Sequence, residues 1–328
     1  MSRETSATGR VLAARLGRRA VLGGVAAVAV GCSGGEGAGR ALRLATGPEG
    51  GPYNAFGRSF AEAVAAGSRR LTVAPVSTAA SVDNLRQLGD GSVDLALVTA
   101  DVAEDAVLGR DTFARPLGLT ALTRVYVNYI HLIVPANGPV RELADLAGRR
   151  VATGAVGSGL QVTAKRLLQQ AALTGGPAPV QEVALGLAES LAALRAGGLD
   201  AVFWSGGVPT PAVDGLAQEL PVRFVPMDAV AGTLRERYGP VYTAVTLPAG
   251  AYGLRGPVGT VGVGNYLTAR PGVPDDAVRE LLGILFDQWA TLLKAVTAGA
   301  RLEPRFAIST GAVPLHPGAA AYYRSVYG

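Results

Sequence analysis

The chain echoes itself, and that echo restricts its fold more than any other feature. Arg43-Leu-Ala-Thr-Gly47 returns as Arg150-Val-Ala-Thr-Gly154, each copy followed by a glycine-bearing turn and a helix predicted over Tyr53–Ala66 and Leu160–Leu173. A second echo stands at nearly the same offset. DNLRQLGDGSVDLALVT, from Asp83 to Thr99, matches ESLAALRAGGLDAVFWS, from Glu189 to Ser205. Both read as a helix with a glycine stop, an Asp, and an apolar strand ending in a hydroxyl residue. Two echoes in register predict two α/β lobes, each a β-α-β-α-β unit with a largely parallel sheet buried on both faces. A 328-residue chain with 49% hydrophobic residues can fill two such cores.

In parallel sheets ligands sit beyond the carboxyl ends of the strands, where the two Thr-Gly turns, Thr99 and Ser205 fall. Ile130–Pro135 and Gly259–Ala269 are apolar segments at either end of the second lobe and are the natural crossovers. They divide the chain into lobe I (41–129 and 259–328) and lobe II (130–258), facing each other across a hinged cleft. The turn Gly154–Gly159 opens a helix, so its free N–H groups suit a carboxylate or phosphate. Its glycines fit neither G-x-G-x-x-G nor the phosphate-loop pattern, which argues against a nucleotide.

Residues 1–32 read as an export signal. Arg18-Arg19 precede an apolar run, Ala20–Val30, that is too short for a mature membrane span and suits a signal-peptide core. The arginine pair resembles a twin-arginine signal, with the general route left open. Ala29-Val-Gly-Cys32 resembles a lipobox with Cys32 as the lipidated residue; the alternative is an uncleaved anchor. Residues 33–40 form a tether. The N-terminal arginines explain most of the formal charge of +5, because Met1–Gly31 holds five arginines and one glutamate. The remainder is nearly neutral, which argues against a nucleic-acid partner. With a single cysteine, no intrachain disulfide is available.

The segments TGPEGGPYNAFG, SVDNLRQLGDGSVDLALVTAD, VRELADLAGRRVATGAVGSGLQVTAKRLL, AVFWSGGVPTPAV, TVGVGNYLTARPGVPDDAV and LHPGAAAYYR, in this order, resemble the TAXI class of solute receptors, which serve tripartite ATP-independent periplasmic (TRAP) transporters. The resemblance covers nearly everything after Arg40. It implies a two-lobe type II periplasmic-binding fold, no enzymatic activity, and a TRAP-type membrane permease as partner. It also implies a small carboxylate ligand such as glutamate, glutamine or a 2-oxoacid. Pro48 and Glu49 depart from the family's first loop, and Asn128 stands where the family carries an acid. A receptor for an ATP-driven importer or a sensor kinase, and an enzyme on the same fold, are the rival readings.

Candidate ligand contacts are Gly154, Gly157, Ser158 and Gly159 in lobe II, with Gly50, Gly51 and Tyr53 as the matching edge in lobe I. Ser81 and Asn84 start a helix, and Asn84 offers both a donor and an acceptor. Thr99, Asp101 and Ser205 lie past strand ends, where Asp101 would take an ammonium or cap its own helix. Strand alternation sets Trp204 on the opposite face from Ser205 and assigns it to the core. His131 reads as a buried structural histidine, and Tyr322, Tyr323 and Tyr327 as rings packing a C-terminal helix. With two histidines, a hydrolase triad or zinc site is poorly supplied, and neither a metal nor a cofactor is expected. The protein is expected to be monomeric.

Overall fold

A computed structural model describes residues 39–296 and 307–328. The export signal, Cys32 and most of the tether lie outside the described residues. Both echoes become βαβαβ units. In the first, strands β1 (Arg40–Ala45), β2 (Leu71–Val76) and β3 (Leu95–Thr99) enclose helices α1 (Pro52–Gly67) and α2 (Ser81–Gly89). In the second, β5 (Arg150–Ala152), β6 (Gln181–Val183) and β7 (Ala201–Gly206) enclose α4 (Gly159–Gln170) and α5 (Leu187–Arg195). Within each unit the first strand lies between the other two and pairs with both in parallel.

The echoed residues make the same bonds twice. Asp94 accepts from the Arg43 N–H at 2.9 Å, and Asp200 accepts from the Arg150 N–H at 2.9 Å. Each Asp returns its own N–H to that Arg carbonyl, also at 2.9 Å. The Asp of each copy therefore joins the first strand to the third and fixes their register.

The chain crosses between the units in β4 (Thr120–Pro135) and β10 (Val258–Ala269). The first half of β4 runs antiparallel to β10, whereas Tyr129–Ile133 pair with β7. The strand β10 pairs with β9 (Tyr242–Leu247) through Val263, and with β3 from Asn265 onward. Partner exchange thus falls at Tyr129 in β4 and near Gly264 in β10, beyond the expected boundary at 258/259. A Cβ on Gly262 would meet Val245 at 2.8 Å and Val127 at 3.0 Å, so the crossing has no room for a side chain there. The sheet order is β2-β1-β3-β10-β4-β7-β5-β6, with β8 (Val222–Phe224) paired to β4 and β9 to β10.

The helix α1 buries Phe56, Phe60 and Val64, spaced four apart on one face, against β1, β2 and helix α8 (Asp275–Asp287). Full burial of each contributes about 1.5–3 kcal/mol. The helix expected to reach Leu173 stops at Gln170, because Ala172 takes a left-handed φ of 57° and Leu173 donates back to the Leu168 carbonyl. The C-terminal helix α10 (Pro317–Tyr327) packs Tyr323 into the core and stacks Tyr322 on Phe286 at 5.8 Å. Helix α3 (Ala100–Leu108) is buried from Ala100 to Ala106, including three acidic residues. Helices α6 (Pro211–Glu219), α7 (Ala231–Tyr238) and α9 (Trp289–Val296) complete the α-helices of the described residues. Among the described residues no helix is long and apolar enough to cross a membrane.

Candidate functional site

A helix that returns from a parallel strand starts at the strand's carboxyl edge. The two units turn those edges toward each other, so five helices begin around one cavity, about 700 Å³ when its opening to solvent is included. The residues that precede α1 to α5 are Gly51, Ala80, Thr99, Ser158 and Gly186, and all five line it. The first two N–H groups of α4, on Gly159 and Leu160, find no acceptor among the described residues. The units touch at its edge, where the Val82 N–H donates to the Gly157 carbonyl at 3.1 Å. A Cβ on Gly159 would lie 2.5 Å from Thr99 Oγ1 and 2.8 Å from Ser81 Oγ, so only glycine lets the first turn of α4 approach this closely.

The walls are chiefly apolar, formed by Pro48, Tyr53, Leu160, Leu185, Leu187, Phe203 and Trp204. Among the described residues, none that lines it is Asp, Glu, Lys, Arg or His. Polar groups are few and neutral. Two are buried without a hydrogen-bond partner among the described residues: Thr99 Oγ1 and Asn128 Oδ1. Leaving such an atom unsatisfied costs about 1–3 kcal/mol, which a ligand or an ordered water would recover.

Of the residues singled out in the sequence, Gly51, Tyr53, Ser81, Thr99, Gly154, Ser158, Gly159 and Ser205 line the cavity. Gly50, Asn84, Asp101 and Gly157 do not. Gly50 is exposed at the turn. Asn84 is fully buried behind the wall, donating to the Thr46 and Leu97 carbonyls while Thr78 donates to its Oδ1. Asp101 accepts from Thr163 Oγ1 and Tyr242 Oη, each at 2.8 Å. Gly157, at φ 79°, directs its carbonyl to Val82. Ser158 Oγ caps α4 by accepting from the Gln161 N–H at 3.2 Å. Ser81 caps nothing; its Oγ accepts from the Thr99 N–H at 3.1 Å, and Ala80 holds the cap position. Glu49 is exposed and is not among the residues that line the cavity.

Trp204 packs against the core, as alternation argues, and also lines the cavity together with Ser205. Its ring lies along the backbone of Gly206 and donates to Thr210 Oγ1 at 2.9 Å, reaching past the end of β7 where alternation no longer separates the faces. Asn128 and Ser190 also line the cavity and were not among the sequence candidates. Ser190 occupies the position in α5 that Asn84 occupies in α2, so the echo itself pointed to it.

Beside the cavity a buried ionic cluster joins the units. Arg166 of α4 donates to Asp105 and, at 3.1 Å, to both Asp111 and Tyr242 Oη, with its guanidinium 4.3 Å from the Tyr238 ring centre. Burial pushes the Asp105 carboxyl up to about 6 despite the neighbouring guanidinium, and burial also raises Glu104. His131 is fully buried between the Tyr129 carbonyl and Tyr252 Oη, and burial lowers its pKa to about 4, so it is a neutral structural residue.

A model of the NMT1-like family matches residues 44–326. Among solved structures, a protein described for glutathione import through the cystine ABC importer of Streptococcus mutans aligns with a TM-score of 0.50. It is 13% identical, over 79% of this chain and 93% of that one. The alkanesulfonate-binding protein of Xanthomonas axonopodis pv. citri bound to MOPS gives 0.47 at 18% identity, over 79% of each chain. A putative L-cystine ABC transporter protein from Listeria monocytogenes gives 0.49 at 13% identity, over 78% of this chain and 94% of that one. At these identities the likeness is one of fold, the two-lobe α/β architecture of periplasmic binding proteins.

Proposed function

The chain belongs to the NMT1-like family, and from that footing we propose that it is an exported solute receptor that captures a small carboxylate between its two lobes. The observation that carries this reading is the convergence of five helix N-termini on a cavity with no charged side chain in its lining. Each N-terminus favours an anion by about 0.3–1 kcal/mol, or up to about 2 when partly buried. Micromolar affinity, about 8 kcal/mol, therefore needs several such ends together with hydrogen bonds and burial of the ligand body. The ligand-facing set we propose is Gly51, Tyr53, Ser81, Thr99, Asn128, Gly154, Ser158, Gly159, Ser190 and Ser205.

The resemblance to TAXI receptors supports a TRAP-type permease as the partner and no catalytic role. The lipobox-like sequence supports anchoring of the exported chain through Cys32. We place lobe I at 41–129 and 259–328 and lobe II at 130–258, hinged along the crossing strands β4 and β10. A thermal-shift panel of carboxylates, sugars and amines tests the reading. A carboxylate at a hundred times its dissociation constant stabilises the fold by about 2.7 kcal/mol. Hits confined to sugars or amines would overturn it.

A further inference from the structure

The unpartnered Asn128 Oδ1 has a fixed orientation, and the fixing can be traced bond by bond. Asn265, fully buried on β10, donates its Nδ2 to the Tyr126 carbonyl at 3.1 Å. A carbonyl only accepts, so the Oδ1 of Asn265 faces the other way. There it accepts from Tyr53 Oη at 2.5 Å and from Asn128 Nδ2 at 3.4 Å. Burial raises the Tyr53 pKa, which keeps that hydroxyl protonated and donating. Asn128 is thereby held with its amide nitrogen toward Asn265 and its oxygen as a lone acceptor. It is 3% exposed and lines the cavity at the point where β4 crosses between the units.

A fixed, buried, neutral acceptor selects a neutral donor. We infer that Asn128 is a specificity-determining residue, and that the cleft takes a carboxylate carrying a hydroxyl group in preference to the matching amino acid or unsubstituted acid. This rests on the carboxylate-receptor reading above and narrows it. An ammonium group entering this cavity meets no carboxylate among the described residues. Asp101 is committed to Thr163 and Tyr242, and Glu49, Asp83 and Glu189 are absent from the lining. Burying an unpaired charge is costly, whereas a hydroxyl satisfies Asn128 at no such cost. An acid with hydrogen at the same carbon leaves the Oδ1 without a partner, which is the strongest basis for discrimination a neutral site has.

The test is titration calorimetry of the full chain with three matched sets of acids. They are malate, aspartate and succinate; 2-hydroxyglutarate, glutamate and glutarate; and 2-hydroxy-4-methylpentanoate, leucine and 4-methylpentanoate. In whichever set binds, the hydroxy acid is expected to bind at least tenfold more tightly than the amino acid and about fivefold more tightly than the unsubstituted acid. Asn128→Ala should bring the hydroxy acid down to the level of the unsubstituted one, and Asn128→Asp should reverse the order in favour of the amino acid. An amino acid bound by the wild type as tightly as its hydroxy counterpart overturns the assignment, with no variant needed. So does a hydroxy-acid preference that survives Asn128→Ala in a protein that unfolds like wild type. Failure of every acid in the three sets and in the wider carboxylate panel overturns the receptor reading itself, and this inference with it.

Discussion

Replacing Arg166 with Met should remove a large fraction of the protein's stability. The side chains of Arg166 and Asp105 are only 4% and 3% exposed, and Asp101 and Glu104 are buried close by. Taking away one partner of a buried pair leaves an uncompensated charge and costs about 3–5 kcal/mol. Loss of the guanidinium from the Tyr238 ring adds about 0.5–1 kcal/mol. Total stabilities of about 5–15 kcal/mol make this about a quarter or more of the whole. The deficit should also depend on pH. The native Asp105 pKa of about 6 lies above the ordinary carboxylate value, so this group's contribution is full below about pH 4 and is lost as pH rises through 6. Without Arg166 that pKa rises further, so the deficit should be larger at pH 7.5 than at pH 5. Urea unfolding of wild type and variant at both pH values measures it, and Arg166→Met combined with Asp105→Asn should recover much of the loss. A deficit under about 1 kcal/mol, the value of a solvent-exposed pair, would refute the reasoning, as would equal deficits at the two pH values.

Four further substitutions follow from particular contacts. Asn84→Ala strips hydrogen bonds from the buried Thr46 and Leu97 carbonyls, so urea unfolding should show a loss of about 2–5 kcal/mol, well beyond a surface substitution. Asp94→Ala should cost more than Asp200→Ala, although the two are echoes. Asp94 also accepts from Arg270 at 2.6 and 3.0 Å, whereas the side-chain cation beside Asp200 among the described residues is Arg149 at 3.7 Å; charge-assisted bonds are worth about 1.5–3 kcal/mol, and equal losses by denaturation would count against a stabilising role for the Arg270 bonds. Ser158→Ala removes the cap of α4 and should lower unfolding free energy by about 0.5–2 kcal/mol in ligand-free protein.

The two βαβαβ units and their crossovers were legible because they follow from pattern. Thr-Gly turns, glycine helix stops and an Asp ahead of an apolar strand recur at one offset, and the recurrence encodes a repeated set of backbone bonds. Eight of the twelve expected ligand contacts line the cavity because they sit at strand ends, where topology alone puts them. Of the four outside it, Asn84 and Asp101 turn on side-chain direction and packing depth, and Gly50 and Gly157 on the course of the backbone through their turns. Nothing in the spacing of Asn84 reveals that the Thr46 and Leu97 carbonyls use up its amide. The start of β4 was hidden for a similar reason: Arg124 and Asn128 interrupt its apolar run, although Asn128 is buried and serves the cavity. Arg166 and Asp105 lie 61 residues apart, and only the docking of α4 on α3 brings them together.

The central claim is that a carboxylate binds in the cavity ringed by the five helix starts. Ala155, half-buried, lines that cavity from the turn before α4 and is not part of the buried core clusters. The most direct measurement is calorimetric titration of the best carboxylate from the panel into wild type and Ala155→Trp, with urea unfolding confirming that the variant is as stable as wild type. Saturable binding by wild type, lost when the indole fills the space, is the predicted result; binding of equal strength in both proteins would place the ligand elsewhere and contradict the account.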